Sequence, residues 1–76
     1  MVALTVSDLI RDKREKAGWS ARHLSELAGL SPSYVSKVES ERINPSLEAF
    51  GKLVRVLNFS DLEIAFIVKR IAGIDG

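Results

Sequence analysis

A chain of 76 residues suffices for one small domain, whose core has little stability to spare. It contains no cysteine, which removes disulfides and thiolate metal sites, and its one histidine, His23, has no ligand partners at useful spacing. The net charge of +1 is a weak signal for a polyanionic partner, although Arg11 to Arg42 carries seven Lys/Arg against five Asp/Glu while Ile43 to Gly76 balances four against four.

The chain reads as five helices, with no strand pattern, internal repeat or low-complexity tract. The first runs from about Ser7 to Ala17 and stops at Gly18, with Leu9 and Ile10 inward. Its charges, Arg11, Asp12, Lys13, Arg14, Glu15 and Lys16, form a mostly solvated face. Trp19 follows as an expected core anchor rather than a base stacker. Ser20 then has the position of an N-cap, and Leu24, Leu27 and Ala28 share one face of a second helix. Gly29 lies where a left-handed residue is required for a sharp turn. Leu30 returns to the core, and Ser31-Pro32 reads as a cap followed by proline at the first helical position. The third helix carries Val35 and Val38 inward and leaves Pro32, Ser33, Ser36 and Lys37 on or near its outward face. Ser25 is a small residue four before the glycine, where two steeply crossing helices must come close. This spacing is that of a helix-turn-helix.

Ser40 to Pro45 reads as a loop. Ser46 caps a fourth helix with Leu47, Phe50, Leu53, Val54 and Leu57 at helical spacing, and Asn58 is placed to end it in a left-handed conformation. Ser60-Asp61-Leu62-Glu63 is a capping box that opens a fifth helix, which ends near Ala72 before Gly73. The predicted fold is all-α: a compact five-helix domain over residues 1–76, with the helix-turn-helix at helices two and three.

The fifth helix has more apolar surface than one core face requires. Leu62 and Phe66 form one stripe, and a second, broader arc holds Ile64, Ile67, Val68 and Ile71. Left in water, such an arc marks an interface. Residues 60–73 are therefore expected to form a dimerisation helix that pairs through Ile64, Ile67, Val68 and Ile71.

No apolar run exceeds the five residues Ile64 to Val68, so no membrane span is expected. Met1-Val2-Ala3-Leu4 lacks the charged-then-apolar pattern of a signal peptide, which points to the cytoplasm. No acid/base pair, phosphate loop, nucleophile–histidine arrangement or cofactor motif is present, so an enzyme is the poorest reading.

These residues resemble the phage-repressor/Cro-type, or XRE-like, helix-turn-helix domains over roughly Val6 to Phe59. The likeness rests on Ile10-Arg11 and Arg14, on Gly18 and Ser20, and on Leu24, Ala28-Gly29-Leu30-Ser31 at the turn. It continues through Tyr34-Val35-Ser36-Lys37-Val38-Glu39 and Asn44-Pro45-Ser46-Leu47-Glu48. Two positions depart from the family pattern: Ala21 stands where relatives commonly carry a phosphate-binding glutamine, and Lys13 where many are apolar. The fifth helix is also similar to the end of the controller proteins of restriction–modification systems, and the same outline suits short phage or mobile-element repressors.

The resemblance implies a transcriptional regulator that binds double-stranded DNA as a homodimer on a roughly palindromic operator. Base contacts would come from Pro32, Ser33 and Lys37, with Ser36 at the edge, and Lys37 is the sharpest choice because its ammonium can donate to guanine. Phosphate contacts would come from Ser20, Arg22, Arg42 and Asn44. Tyr34 either joins them or packs against helix two as a half-buried ring. Glu39 is expected to orient a basic neighbour, Arg14 or Arg42. A different class, an antitoxin-like or anti-repressor module, would use the fifth helix to hold a protein partner.

Overall fold

The computed structural model describes residues 5–73. Those residues form α1 (Val6–Ala17), α2 (Ala21–Leu27), α3 (Tyr34–Glu39), α4 (Leu47–Val56) and α5 (Asp61–Ala72), with no strand among them. The signal-peptide reading of Met1 to Leu4 lies outside the described residues. No described helix is long and apolar enough to cross a membrane.

Four of the five helices begin on a cap that the sequence encodes. Thr5 and Ser60 form reciprocal capping boxes with Asp8 and Glu63, and Ser20 and Ser46 accept from His23 N–H and Ala49 N–H. Three of the helix ends share one device. Gly18, Gly29 and Glu41 adopt positive φ of 78°, 74° and 61°, and the next residue's N–H reaches back to a carbonyl of the last turn. Glycine does this without a Cβ penalty; Glu41 does it against one. Asn58 does not take the left-handed role expected of it. α4 ends instead on Leu57 in an extended conformation, because the Leu57 side chain turns into the core.

The core has two adjoining parts. Ile10, Leu24, Ala28, Val35, Val38, Leu53 and Leu57 fill the first, with Trp19, Leu30, Tyr34 and Ile43 packed at its margin. Leu9, Phe50 and Ile67 form the second, closed over by Val54, Ile64, Phe66, Val68 and Ile71. Consecutive Leu9 and Ile10 on α1 join the two parts, and Val6 and Phe59 touch both.

Some apolar positions face outward instead. Leu27 is 45% exposed and Leu47 51%, so neither belongs to the core face that the spacing assigned it. The largest difference is in α5. Ile67 is wholly buried against Leu9 and Phe50, whereas Leu62 is 85% exposed. Ile67 is therefore not an interface residue. Ile64, Val68 and Ile71 flank it, half-buried on the same cluster. Helical periodicity gave the arcs, but only the packing of α5 over α1 and α4 decided which arc turned inward.

Candidate nucleic-acid interface

α3 is a six-residue helix, too short to hold its shape alone. Its inner face supplies the missing support. Val35 and Val38 are buried, and the Val35 N–H donates to Ser25 Oγ at 3.0 Å. Ser25 is itself fully buried and donates to the Ala21 carbonyl at 2.9 Å. The predicted small spacer is thus also the acceptor that caps the next helix across the turn. This explains why α3 begins later than expected. Ser31 to Tyr34 forms a turn closed by Tyr34 N–H on the Ser31 carbonyl, and Ser33, with no side-chain cap bond, precedes the first helical residue. Pro32 lies in that turn rather than in the helix.

The far end of α3 is held by α1. Glu39 is 8% exposed, and its carboxylate accepts from Arg14 Nε at 2.7 Å and from a terminal guanidinium nitrogen at 2.8 Å. Arg14 also donates to the Trp19 carbonyl at 2.8 Å. The bond to Glu39 is the largest influence on Arg14 and raises its pKa above the ordinary value, against partial burial. Of the two basic neighbours expected for Glu39, Arg14 is the one it meets. Arg11 donates to the Glu39 carbonyl at 2.6 Å, and Ser7 Oγ to the Val38 carbonyl at 2.8 Å. Arg14 and Arg11 are thus not free members of a solvated face. Sequence reading missed the positioning roles of Ser7, Arg11 and Ser25. The i, i+4, i+7 spacing of Ser7, Arg11 and Arg14 was the one legible sign, since it puts all three on one face of α1.

With the inner side and the C-terminal end of α3 secured, the helix and the turn before it present Pro32, Ser33, Ser36 and Lys37 to solvent, all four exposed. Lys37 and Arg42 take part in no ion pair among the described residues. Tyr34 is half-buried against the first core cluster, which is the packing alternative. Ser20, Arg22, Arg42 and Asn44 are exposed. The Ser20 hydroxyl accepts from His23 N–H at 3.0 Å, which leaves its own proton free to donate. Arg22 lies 3.3 Å from Glu26 in an exposed i, i+4 pair, a weak contact that a phosphate can displace. His23 is exposed and stands edge-on to Trp19, with 5.9 Å between ring centroids.

Comparison with known proteins agrees with this geometry. The helix-turn-helix family model matches residues 10–64, from within α1 to the first turn of α5. The HTH-type transcriptional regulators PuuR of Escherichia coli (strain K12) and of Shigella flexneri are each 34% identical to the chain over 47 residues. Those residues are 62% of this chain and 25% of each relative, so the match spans about a quarter of their length. No solved structure matches significantly. The Ser25-bridged turn, the buried valines of α3 and the extent of the family match together assign the chain to the XRE-like helix-turn-helix family.

Proposed function

We propose that this protein is a sequence-specific, double-stranded DNA-binding transcriptional regulator that acts as a homodimer on a roughly palindromic operator. One observation carries the reading: a short helix fixed from behind by buried valines, Ser25, Ser7 and the Arg11–Glu39–Arg14 cluster exposes a polar face with a lysine that joins no ion pair among the described residues. Such a helix can enter a major groove without bending or fraying.

In that pose Lys37 donates to guanine O6 and N7, Ser33 and Ser36 donate or accept at neighbouring base edges, and Pro32 offers an apolar contact to a thymine methyl. Arg22, Arg42, Ser20 and Asn44 flank the helix and bind phosphates, which sets register without reading sequence. Arg22, beside the family's missing glutamine at Ala21, supplies charge where relatives use an amide. Two protomers would place their α3 helices about one turn of DNA apart, roughly 34 Å, and make occupancy steeply dependent on concentration.

Selection from random duplex DNA, followed by anisotropy titration of the winning site at several salt concentrations, tests this. A two-fold symmetric consensus is expected. Two arginines per protomer at phosphates give a log–log salt slope of about −3.6 for the dimer. Lys37→Ala is expected to weaken the selected site by about 1–3 kcal/mol and to relax preference at one base per half-site, with the fold unchanged. Failure to enrich any sequence would refute sequence-specific binding, and full affinity with unchanged preference in Lys37→Ala would remove that residue's role.

A further inference from the structure

Glu41, the strained residue after α3, lines a cavity that neither the core nor the exposed face of α3 uses. The cavity, of about 270 Å³, is bounded by the start of α1, the segment between α3 and α4, and the last turns of α5. Val6, Pro45 and Ile71 supply its apolar lining. Its charged lining is Glu41 and, from α5, Arg70, both exposed, and Asn44 adds a neutral amide. At the start of α1 the Thr5 hydroxyl accepts from the Asp8 N–H at 3.0 Å, which leaves its own proton free to donate. The N–H groups of Val6 and Ser7, which also line the cavity, meet no acceptor among the described residues.

We infer that this cavity is an effector site for a free α-amino acid with an aliphatic side chain. The ligand's ammonium pairs with Glu41, its carboxylate with Arg70 and the first amides of α1, and its side chain packs on Val6, Pro45 and Ile71. The binding site stands apart from the DNA-binding reading; its effect on operator affinity rests on that reading.

Charge selects the ligand. Glu41 and Arg70 line one cavity, yet neither takes part in an ion pair among the described residues, with each other or with a third group. A gap therefore separates the two charges, and a zwitterion fills it with an attraction at each end. A simple anion would be repelled by Glu41, and a simple cation by Arg70 and the positive end of α1. The Arg70 guanidinium is 5.1 Å from the centre of the Phe66 ring, a contact that steadies it and leaves its N–H groups to donate. Glu41 holds a φ of 61° where Gly18 and Gly29 make the same turn without a side chain. Glycine would serve the backbone better, so what Glu41 adds is its carboxylate. The cavity falls just short of the about 300–1,000 Å³ of drug-sized pockets, which suits a small metabolite. Glu41 also directly precedes Arg42, a proposed phosphate contact, so neutralising its charge favours the approach of DNA.

Amide NMR titration of the full chain with L-valine tests the site without DNA. Saturable shifts centred on Val6, Ser7, Glu41, Asn44 and Ile71 are expected, with a dissociation constant of about 0.1–10 mM. Isovalerate and isobutylamine, which are valine without its ammonium and without its carboxylate, should each bind about tenfold more weakly. Glu41→Gly relieves the backbone, so it should melt higher than wild type and yet bind valine about tenfold more weakly. Arg70→Gln should lose a similar factor with helicity unchanged, since Arg70 is exposed. No saturable shift with valine would overturn the inference, as would full affinity in both variants. Isovalerate binding as well as valine would overturn the zwitterion and leave only an anion at the start of α1. On the selected operator, valine should tighten wild-type binding by about twofold to fivefold and leave Glu41→Gly unmoved. An unchanged wild-type affinity there would overturn the effector role, and none of these results bears on whether the chain reads DNA.

Discussion

Replacing Ser25 by alanine separates two accounts of the helix-turn-helix corner. If this position requires only a small side chain, alanine is harmless, or helps slightly, because it is the better helix former by up to roughly 0.5 kcal/mol. The structure gives the hydroxyl a further task. Ser25 Oγ is the acceptor for the Val35 N–H at 3.0 Å in a site from which water is excluded. Removing it leaves a buried donor unpaired, at a cost of about 1–3 kcal/mol. The lost donation to the Ala21 carbonyl matters less, since a helical carbonyl already has a backbone partner. A chain this short has a total stability of roughly 4–11 kcal/mol, so the loss is a sizeable fraction of the whole. Urea unfolding followed through Trp19, the single tryptophan and a margin residue of the first core cluster, reports it directly. With a denaturant slope near about 1 kcal/mol/M, the midpoint should fall by about 1–3 M. Ser25→Cys, similar in size but a weak acceptor, should fall between the two. A Ser25→Ala midpoint equal to or above wild type would refute the bridging role and leave only the requirement for small size.

Other perturbations address the remaining supports. Glu39→Gln should destabilise the fold by about 3–5 kcal/mol, because it leaves the Arg14 guanidinium, 16% exposed, without its counter-charge. In a double-mutant cycle with Arg14→Met the second change should recover part of that loss; strict additivity would deny the coupling. Glu41→Gly should stabilise by about 0.5–1 kcal/mol, since φ of 61° strains any side chain and glycine is free of it, and a lower melting temperature would count against this. Acid should act through Glu63. The Ser60 N–H first, and Lys13 second, hold its carboxyl below the ordinary value of 4.5. A pKa lowered on folding contributes stability above the unfolded-state value, and that contribution is lost as pH falls through the folded one. The stability gap between wild type and Glu63→Gln should therefore be present near pH 6 and shrink as pH falls below about 4.5; a gap independent of pH would contradict the assignment.

Much of this fold is written in local chemistry. Four of the helix starts carry a serine or threonine whose oxygen takes a free amide of the first turn, three residues on, and Gly18, Gly29 and Gly73 turn left-handed where a side chain would clash with its own backbone. Such features depend on neighbours a few residues away, so sequence is enough to place them. The exposed set Pro32, Ser33, Ser36 and Lys37 was legible for the same reason: Val35 and Val38, at helical spacing, claim the opposite face.

Choices between equivalent local options were settled only by distant parts of the chain. α5 has two apolar arcs, and its own sequence does not rank them; Ile67 turns inward because Leu9 of α1 and Phe50 of α4 leave a space there, which puts Leu62 in solvent. Glu39 had two arginines within plausible reach, and Arg14 takes it because α1 crosses the end of α3. The Ser25 hydroxyl acquires its partner only when α3 folds back over α2. The sequence alone determined where most helices start and stop and which polar face α3 would show, since hydrogen bonds and backbone sterics within one turn decide both; the start of α3 and the end of α4 were set by packing. Tertiary structure decided which apolar face is core and which charges are paired, because burial and ion pairing depend on what arrives from the far side of the molecule.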